Sequence, residues 1–497
     1  MEEYILALDQ GTTSSRALLF NKELNVVGIS QKEITQMYPN SGWVEHCPEE
    51  IWQSQLSVAK EVLEKKQISA KQVLAIGITN QRETTIIWDK KTGKPIHNAI
   101  VWQDKRTIEY CKKIKDKGLE EYIHKNTGLV IDAYFSSSKI MWLLDKISGA
   151  KEKAKRGELL FGTVDSWLIW KFTNGKEHLT DVTNASRTML YNINKLSWDE
   201  YICEQLEIPM QILPQVKPCN SDFGNTIPEI FDGVSIPING IAGDQSASLI
   251  GHGCIEEGTA KNTYGTGCFV LMNTANKKVH SQNGLISTIA WYLNGKIEYA
   301  IEGSIFSGGS SIQWLRDGLG IIKHASETES MAISLKGNEG VYLVPAFAGL
   351  GAPYWDMEAK GTIVGLTRGS RKEHIARAAL ESIAYQTKDV IDVMEKDSGL
   401  KLKSLKTDGG AAKNNFLMQF QSDVLEVPVN RSKSLELTAL GVAFISGIEL
   451  GLWSIDRIGQ KRDFDAFEPR ITSEKKARLL YGWKNAIQKA TNKSNAK

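Results

Sequence analysis

The sequence predicts an α/β protein of two domains, and three observations support this. The chain has 497 residues, more than one hydrophobic core usually spans. Short apolar strands followed by helical stretches occur in both halves, which is typical of α/β folds. A polar turn lies between two strands near the start of each half, at residues 9–15 and again at residues 264–267. We therefore predict an internal duplication, with domains over residues 1–250 and 251–497.

The first half is predicted to begin with a meander of strands. Residues 4–8 and 17–20 are apolar runs on either side of the first polar turn, and residues 25–30 continue as a third strand. Apolar residues at helical spacing predict a helix over residues 49–66. Residues 73–79 form another apolar strand, which ends in a polar stretch. Loops at strand ends are where α/β folds place functional groups.

The same alternation continues along the chain. Residues 236–240 read as a strand that leads into a helical stretch at residues 246–251. Residues 268–272 follow the second polar turn as a strand. A strand over residues 402–407 leads into a glycine-rich turn, after which Phe416 opens a helix.

The first polar turn has the chemistry of a phosphate-binding loop. Gly11 permits a tight turn, and Arg16 offers a planar cation. Asp9, at the end of a strand, could hold Mg²⁺ through water, because magnesium keeps most of its water ligands. Hydroxyl donors come from three successive residues, Thr12, Thr13 and Ser14. The alternative interpretation is an ordinary hairpin turn.

Two further loops suggest a nucleotide site. The turn at residues 264–267 offers flexible backbone and the Thr266 hydroxyl, so that two such loops could clamp phosphates. Gly409 and Gly410 would let the backbone lie against a flat ligand, and Asn414 could hydrogen-bond a base or a ribose. The alternative for the latter is a strand-to-helix turn with Asn414 as the N-cap.

Two pairs of polar residues suggest a site for a polyol. Glu83 and Asp244 can accept hydrogen bonds from hydroxyl groups, and Arg82 and Gln245 can donate to them. A site built in this way rejects compounds that lack the hydroxyls, because its charged groups would be left unpaired. The alternative is that Arg82 and Glu83 form a surface ion pair, which contributes little to stability.

Three aromatic residues, Trp102, Tyr134 and Phe269, are candidates for the apolar walls that face the carbon atoms of a polyol. The alternative is core packing, which is the more frequent role of an isolated tryptophan or phenylalanine.

Composition excludes several classes of protein. The net charge of +2 gives no field that would attract nucleic acid. The six cysteines form no CxxC pair, and no HExxH motif is present, so a structural metal is not expected. Neither a signal-type N-terminus nor a membrane-spanning apolar run is found. We therefore expect a cytoplasmic protein with reduced thiols.

Five or more motifs, in order along the chain, resemble those of the glycerol kinases, a branch of the FGGY carbohydrate kinases in the actin/hexokinase/Hsp70 ATPase superfamily. The resemblance extends from Tyr4 to about Trp483. The stretch from Gly77 to Thr84 is in the form typical of glycerol kinases. The other motifs are Leu8 to Arg16, Gly128 to Ser136, Tyr134 to Lys146, Asn262 to Phe269, and Gly361 to Glu381.

The resemblance implies a fold and an activity. The fold is two ribonuclease H-like, actin-like ATPase domains with a cleft between them. The activity is ATP-dependent, Mg²⁺-dependent phosphorylation of glycerol to sn-glycerol 3-phosphate in glycerol catabolism, carried out by a homodimer or homotetramer. Asp244 would be the general base.

The resemblance also implies binding roles. Glycerol would be bound by Arg82, Glu83, Trp102, Tyr134, Asp244, Gln245 and Phe269. ATP would be bound by Thr12, Thr13, Ser14, Arg16, Thr266, Gly309, Gln313, Gly410 and Asn414.

Two other functions stay open on the sequence alone. One is a related kinase for a pentulose or gluconate, and the other is a chaperone-like ATPase without an acceptor substrate. Residues 217–240 lack the histidine that is phosphorylated in many Gram-positive relatives and the arginine that binds fructose 1,6-bisphosphate in enterobacterial ones. We predict that neither form of regulation operates, so fructose 1,6-bisphosphate should not inhibit the enzyme.

Overall fold

The structure, a computed structural model, describes residues 2–347, 349–356, 358–434, 436–460 and 463–491. The chain forms two compact units. Unit 1 comprises Met1–Gly253, Ser287–Tyr299 and Glu436–Gln460, and unit 2 comprises Cys254–Ile286, Ala300–Leu435 and Lys461–Lys497. Each unit has a hydrophobic cluster of its own. The predicted domains over residues 1–250 and 251–497 stay a prediction.

The elements up to Gly251 alternate strands with helices. The strands are β1 Tyr4–Gln10, β2 Ser14–Asn21, β3 Val26–Glu33, β4 Glu45–His46, β5 Val73–Asn80, β6 Ile86–Asp89, β7 Ala99–Ile100, β8 Leu159–Gly162, β9 Leu179–Asp181, β10 Tyr191–Asn192, β11 Ser197–Trp198, β12 Gln215–Lys217 and β13 Ile238–Gly243. The helices are α1 Pro48–Lys66, α2 Ile108–Asp116, α3 Glu120–Thr127, α4 Ser136–Lys146, α5 Ala150–Lys155, α6 Val164–Phe172, α7 Val182–Ala185, α8 Glu200–Gln205 and α9 Asp244–Gly251.

The elements beyond Gly251 follow the same alternation. The strands are β14 Thr259–Tyr264, β15 Cys268–Ala275, β16 Ile286–Leu293, β17 Lys296–Ile305, β18 Tyr342–Val344, β19 Thr362–Val364, β20 Ser404–Asp408, β21 Val429–Ser432 and β22 Phe464–Phe467. The helices are α10 Gly309–Gln313, α11 Glu327–Ile333, α12 Lys372–Ser398, α13 Asn415–Leu425, α14 Leu437–Glu449, α15 Arg457–Gln460 and α16 Ser473–Ala490.

The main sheet of unit 1 has the strand order β13-β5-β1-β2-β3. β2 pairs antiparallel with both β1 and β3, whereas β5 runs parallel to both β1 and β13. Every residue of β1 is buried, which explains its continuous apolar run, because a central strand covered on both faces has no polar side. The outer strand β3 alternates between buried and exposed residues over much of its length.

Helices cover the two faces of this sheet. α1 packs on β2 and β3, and α14 packs on β1, β5 and β13. Two glycines allow α14 to approach closely. A Cβ atom on Gly77 would lie 2.9 Å from the Val442 carbonyl oxygen, and one on Gly240 would lie 2.8 Å from the Ser446 nitrogen. The strand ends that carry Arg82 and Asp244 are therefore held on a well-packed layer.

The second sheet repeats the strand order of the first. Its order is β16-β17-β15-β14-β20-β21-β22, so that β17-β15-β14-β20-β21 corresponds to β3-β2-β1-β5-β13. β14 pairs antiparallel with β15 and parallel with β20, as β1 does with β2 and β5. The duplication expected from the two polar turns agrees with this shared topology.

The predicted α/β fold class is confirmed, and the predicted strands and helices form with small shifts at their ends. β1 continues through Asp9 and Gln10, which the sequence placed in the turn, because both residues pair across to β2. α9 begins at Asp244 rather than Ser246. Among the described helices, none combines the length and the apolar character that crossing a membrane requires.

Candidate active site

The polar pair Arg82 and Glu83 follows β5 and is buried, with 3% and 1% of each residue exposed. The guanidinium Nε of Arg82 lies 3.2 Å from Oδ1 of Asp244 and 3.9 Å from Oε1 of Glu83. The interpretation of this pair as a surface ion pair is therefore wrong. Instead, the ends of β5 and β13 bring an arginine and two carboxylates to one place in unit 1.

Asp244 is the first residue of α9, directly after β13. Its side chain is 32% exposed, so its carboxylate remains accessible, whereas Arg82 beside it is not. Gly243 makes this arrangement possible, since a Cβ atom there would lie 2.8 Å from Cγ and Cδ of Arg82. The backbone N–H of Gln245, itself half-buried, donates to Oδ1 of Asp244 at 2.7 Å.

Glu83 is held by a residue that the sequence analysis missed. Arg187 donates from Nε to Oε1 of Glu83 at 2.6 Å, and both side chains are buried. Glu83 has a φ of 62°, and its carbonyl oxygen accepts from the Ser136 hydroxyl at 2.9 Å. A buried charged pair with hydrogen bonds of this kind is expensive to break, because one charge would be left without its partner. The carboxylate of Glu83 is thus fixed in direction.

Two of the predicted aromatic residues meet beside these charges. The rings of Trp102 and Tyr134 pack edge to face with centroids 5.5 Å apart. The indole N–H of Trp102 donates to the Thr12 hydroxyl at 2.9 Å, which links this aromatic wall to the first polar turn. The guanidinium of Arg187 lies 5.5 Å from the ring centroid of Tyr134. Both an apolar surface and charged hydrogen-bonding groups are therefore present in unit 1.

A buried lysine holds the loop that carries Tyr134. The ammonium Nζ of Lys139 donates to the carbonyl oxygens of Ala133, Tyr134 and Phe135 at 2.5, 2.8 and 3.2 Å. Burial lowers the pKa of Lys139 to about 8, against the opposing effect of the negative charge on Glu83. The three N–H groups of the charged form match the three carbonyl acceptors.

The first polar turn is closed by backbone hydrogen bonds. The Gly11 N–H donates to the Ser14 carbonyl at 3.0 Å, and the Thr13 carbonyl accepts from the Ile34 N–H at 3.0 Å. The Thr12 hydroxyl, which accepts from Trp102, can still donate its own hydrogen. The turn is thus a hairpin between β1 and β2, as the alternative interpretation expected. The hairpin carries the hydroxyl groups that were predicted to bind phosphate.

Charged groups surround the base of this turn. Nη1 of Arg16 lies 2.7 Å from Oε2 of Glu436 and 3.9 Å from Oδ2 of Asp9. Burial raises the pKa of Asp9 to about 7, with Arg16 opposing this shift and Asp244 adding to it. A cation close to Asp9 would favour the charged form of its carboxyl group and so lower its pKa again.

A neutral histidine connects the turn to the loop that follows β5. His46 is buried, and burial lowers its pKa to about 4. Nε2 of His46 lies 2.9 Å from Oε1 of Gln36, whose amide nitrogen donates to the Thr12 carbonyl at 2.8 Å. Nδ1 of His46 lies 3.3 Å from Nε2 of Gln81. His46 therefore carries its proton on Nε2 and accepts from Gln81 at Nδ1.

In unit 2, three glycine-containing loops meet. The Gly309 N–H donates to the Gly265 carbonyl at 2.8 Å, and the Thr266 carbonyl accepts from the N–H of Ser310 at 3.1 Å. A Cβ atom on Gly409 would lie 2.5 Å from the Tyr264 carbonyl oxygen, whereas nothing lies within 4 Å of one on Gly410. The structure thus brings together the segments of Thr266, Gly309 and Gly410 that were predicted to bind nucleotide.

The remaining predicted residues of unit 2 differ in how much they are engaged. Asn414 is the N-cap of α13: its Oδ1 accepts from the Leu417 N–H at 3.0 Å, and its amide donates to the Thr328 hydroxyl at 3.2 Å. Asn414 thus has the N-cap role that the sequence offered as the alternative. Its contact with a nucleotide stays a prediction. Gln313 is exposed at the end of α10, and Phe269 is half-buried on β15, opposite Thr263.

Two models of known protein families match most of the chain. The N-terminal domain of the FGGY family of carbohydrate kinases matches residues 4–251, and its C-terminal domain matches residues 260–450. The chain belongs to the FGGY family of carbohydrate kinases. The two matched segments divide near Gly251, where the two strand orders also divide.

Relatives within the FGGY family are similar over nearly the whole chain. A glycerol kinase of Alkaliphilus oremlandii is 60% identical over 492 residues, which cover 99% of this chain and 98% of that protein. The crystal structure of Plasmodium falciparum glycerol kinase with ADP is 39% identical with a TM-score of 0.93, covering 98% of both chains. The gluconate kinase of Lactobacillus acidophilus is 23% identical with a TM-score of 0.89, over 99% and 100% of the two chains, and shows the shared fold alone.

The predicted site residues of this FGGY chain thus fall into two groups. One group lies in unit 1 and holds Arg82, Glu83, Asp244, Gln245, Trp102, Tyr134 and the first polar turn. The other lies in unit 2 and holds Thr266, Gly309, Gln313, Gly410, Asn414 and Phe269. In the described part of the chain, no cluster of three or more histidine, cysteine or acidic residues could hold a metal alone.

Proposed function

We propose that the protein transfers a phosphoryl group from ATP to glycerol and forms sn-glycerol 3-phosphate and ADP. The observation that carries this proposal is the set of groups in unit 1, in which Arg82 lies 3.2 Å from Asp244 beside the aromatic pair Trp102 and Tyr134. The 60% identical relative named glycerol kinase supports glycerol as the polyol.

The acceptor side of the reaction needs hydrogen-bonding groups of both kinds. Carboxylates of Glu83 and Asp244 accept from hydroxyls, and Arg82 and Gln245 donate to them. Hydrogen bonds to charged groups contribute about 1.5–3 kcal/mol each. Because Arg187 already fixes Glu83, little side-chain entropy is lost when the acceptor binds. The aromatic pair, with Phe269 of unit 2 as a further candidate, faces the carbon atoms.

Asp244 is the group we assign as general base. Of the three charged groups at the ends of β5 and β13, Arg82 and Glu83 are buried, whereas the Asp244 side chain is one third exposed. Phosphoryl transfer depends mainly on positioning and charge neutralisation. Asp244 therefore orients the acceptor hydroxyl and takes its proton as transfer proceeds.

The loops proposed to bind ATP are the first polar turn and the glycine-containing loops. Thr12, Thr13, Ser14 and Arg16 of unit 1 are proposed to bind the phosphates of ATP, joined by Thr266 of unit 2. Hydroxyl and backbone N–H donors together with a cation are the groups that phosphates require. The nucleoside part is assigned to the glycine loops of unit 2, that is, to Gly309, Gln313, Gly410 and Asn414.

Asp9 fits the role of a magnesium residue. Mg²⁺ keeps several waters and is bound through one or two carboxylates together with substrate phosphates, so a single buried carboxylate beside a phosphate loop is sufficient. Burial raises the pKa of Asp9, and a cation beside it would favour its charged form. Bound Mg²⁺ would neutralise charge on the phosphates. We propose that Asp9 holds it through water.

A comparison of acceptors tests the proposal. ADP release is measured with glycerol, xylulose, ribulose and gluconate at equal concentrations, and kcat/KM is determined for each. We expect glycerol to exceed the others by at least about a hundredfold, because buried charged groups discriminate strongly against poorly matched substrates. A higher value for a pentulose or gluconate would favour the sugar kinase. ATP turnover that ignores every acceptor would favour a chaperone-like ATPase.

Location and assembly are part of the same proposal. A cytoplasmic location is supported by the six cysteines, none of which forms a disulfide, as is usual for proteins of reducing compartments. We expect a homodimer or homotetramer, as the family resemblance implies. Sedimentation analysis of the purified protein at micromolar concentration distinguishes these from a monomer.

A further inference from the structure

A short segment of unit 1, which contacts the site described above through Arg187, holds several buried polar side chains. Residues 181–187, from the end of β9 through α7, include Asp181, Thr183, Asn184 and Arg187, each of them buried. Buried polar groups destabilise a protein unless they are hydrogen-bonded. The hydrogen-bond partners of these side chains therefore indicate the structural role of the 181–187 segment.

Asp181 fixes the side chains of two neighbours. One carboxylate oxygen accepts from the Thr183 N–H at 2.9 Å and from its hydroxyl at 2.6 Å. The other accepts from the Asn184 N–H at 3.0 Å and from its side-chain amide at 2.9 Å. These four hydrogen bonds to one carboxylate leave Thr183 and Asn184 little rotational freedom.

Thr183 reaches the end of β13. Its hydroxyl, which donates to Asp181, accepts from the Gly243 N–H at 2.9 Å. Gly243 directly precedes Asp244, the proposed general base. The position of Asp244 along the strand axis is thus tied to Thr183.

Asn184 reaches the end of β5. Its side-chain amide forms a reciprocal pair with that of Asn80, with N–O distances of 3.0 and 3.2 Å. The Asn80 amide also donates to the Gln81 carbonyl at 2.9 Å, immediately before Arg82. The loop that carries Arg82 and Glu83 is thus tied to Asn184.

The two tethered positions are neighbours in the sheet. Asn80 pairs with Gly243 in the parallel register of β5 and β13, so the 181–187 segment spans the two strands at one step of the ladder. We propose that Asp181, through Thr183 and Asn184, is the positioning element that sets the general base against the acceptor-binding residues. Arg187 completes the element by holding Glu83.

The two tethers should affect different steps. Thr183 acts on the backbone beside Asp244, so its loss should misplace the base and lower kcat. Asn184 acts on the loop of Arg82 and Glu83, so its loss should weaken acceptor binding and raise KM. A displacement of about 1 Å in such groups can cost up to a hundredfold in rate. A role in folding alone would change neither constant per folded molecule.

The experiment compares shape-conserving variants of the full-length protein. Thr183→Val removes one hydroxyl, and Asn184→Leu removes the amide. We expect Thr183→Val to lower kcat at least tenfold with KM for the acceptor changed by less than threefold. We expect Asn184→Leu to raise that KM at least tenfold with a smaller change in kcat. Thermal unfolding and the concentration of folded protein are measured for each.

A matched control is available on β9, the strand that directly precedes α7. The Thr180 side chain is buried, and its hydroxyl donates to Asp165 at 2.6 Å rather than to either strand end. Thr180→Val should lower the melting temperature yet leave kcat and KM within twofold. Thr183→Ser, which keeps the hydroxyl, should retain kcat within threefold even though it loses a methyl group.

Three results would overturn the proposal. They are wild-type constants in both Thr183→Val and Asn184→Leu, the same loss of activity in Thr180→Val, and a tenfold drop in kcat in Thr183→Ser. The result with Thr183→Ser remains decisive even if Thr183→Val does not fold. The inference rests on the proposed function only for its acceptor, so the variants are assayed with whichever acceptor the wild type uses best. A poor rate with glycerol alone would count against the proposed function and leave this test intact.

Discussion

At the residue scale, Asp244 is distinguished from its charged neighbours by its exposure. Replacing it by asparagine keeps the size of the side chain and an oxygen that Arg82 can contact. It removes the carboxylate that would accept the proton. We expect Asp244→Asn to lower kcat by about 10²–10⁴-fold, the usual contribution of a general base. Its KM for glycerol should change much less. Steady-state kinetics with an unfolding control checks this, and near-normal turnover would contradict the assignment.

Lys139 gives a pH dependence at the residue scale. Burial lowers its pKa to about 8 from an ordinary 10.5, and the nearby groups Glu83, Asp104, Cys111 and Asp132 oppose this shift. Above pH 8 the amine has two N–H groups for three carbonyls, so the loop of Tyr134 loosens. We expect KM for glycerol to rise between pH 8 and 9.5, measured with saturating ATP.

The sign of the stability change separates this effect from unfolding. Because the folded pKa of Lys139 lies below the unfolded one, the unfolded chain binds more protons between pH 8 and 10.5, and this group makes unfolding less favourable as pH rises. Acceptor binding should therefore weaken without a loss of stability caused by Lys139. In Lys139→Met, KM should be high and independent of pH over this range. A wild-type-like rise in that variant would exclude the lysine as its cause.

Several site residues were predictable from short-range patterns, and others were not. Arg82 and Glu83 stand between two apolar strands, and Asp244 follows a third, so the alternation of apolar and polar runs exposes them. Arg187, Lys139 and His46 have no such signal. Each acts because its side chain is buried, and burial of a polar or charged side chain depends on tertiary packing.

At the element scale, the glycine pair after β20 offers a matched comparison. Gly409 has a φ of +92°, and a Cβ atom there would meet the Tyr264 backbone, whereas Gly410 is in the right-handed helical region with open space around it. We expect Gly409→Ala to destabilise the protein by about 1–3 kcal/mol or more through strain. Gly410→Ala should leave stability unchanged or slightly increased.

The functional readout of this comparison is the KM for ATP. If Gly410 lies against the nucleotide, as proposed, its added methyl group should raise KM for ATP several-fold while KM for glycerol stays the same. Equal melting temperatures for the two variants would contradict the structural argument. An unchanged KM for ATP in Gly410→Ala would remove that residue from the proposed nucleotide site.

The elements themselves were largely predictable. β1 and β5 are buried on both faces, so they are continuous apolar runs, and α1 shows helical spacing with Pro48 at its start and lysines in its last turn. The start of α9 at Asp244 was missed, because the polar residues Asp244 and Gln245 lack the apolar spacing that marks a helix interior. Short elements such as α7 were also missed, since four residues carry no periodicity.

At the scale of the whole molecule, the repeated strand order is consistent with the division of the proposed site residues between two units. The turn after β1 and the turn after β14 occupy the same place in the two sheets, and each carries threonine next to glycine. The sequence revealed this only as two similar turns. The additional strand β16 before β17, and the stretch from α10 to α12 between β17 and β20, obscure the repeat along the chain.

At this scale the proposed function requires that glycerol accepts the phosphoryl group. A single competition reaction tests it most directly: the enzyme is given ATP and Mg²⁺ with equal concentrations of glycerol, xylulose, ribulose and gluconate, and the phosphorylated products are identified by phosphorus NMR before a tenth of the ATP is used. We predict that glycerol phosphate accounts for nearly all of the product and that Asp244→Asn forms almost none. A product dominated by a phosphorylated sugar, or ADP formed without any phosphorylated acceptor, would contradict the claim.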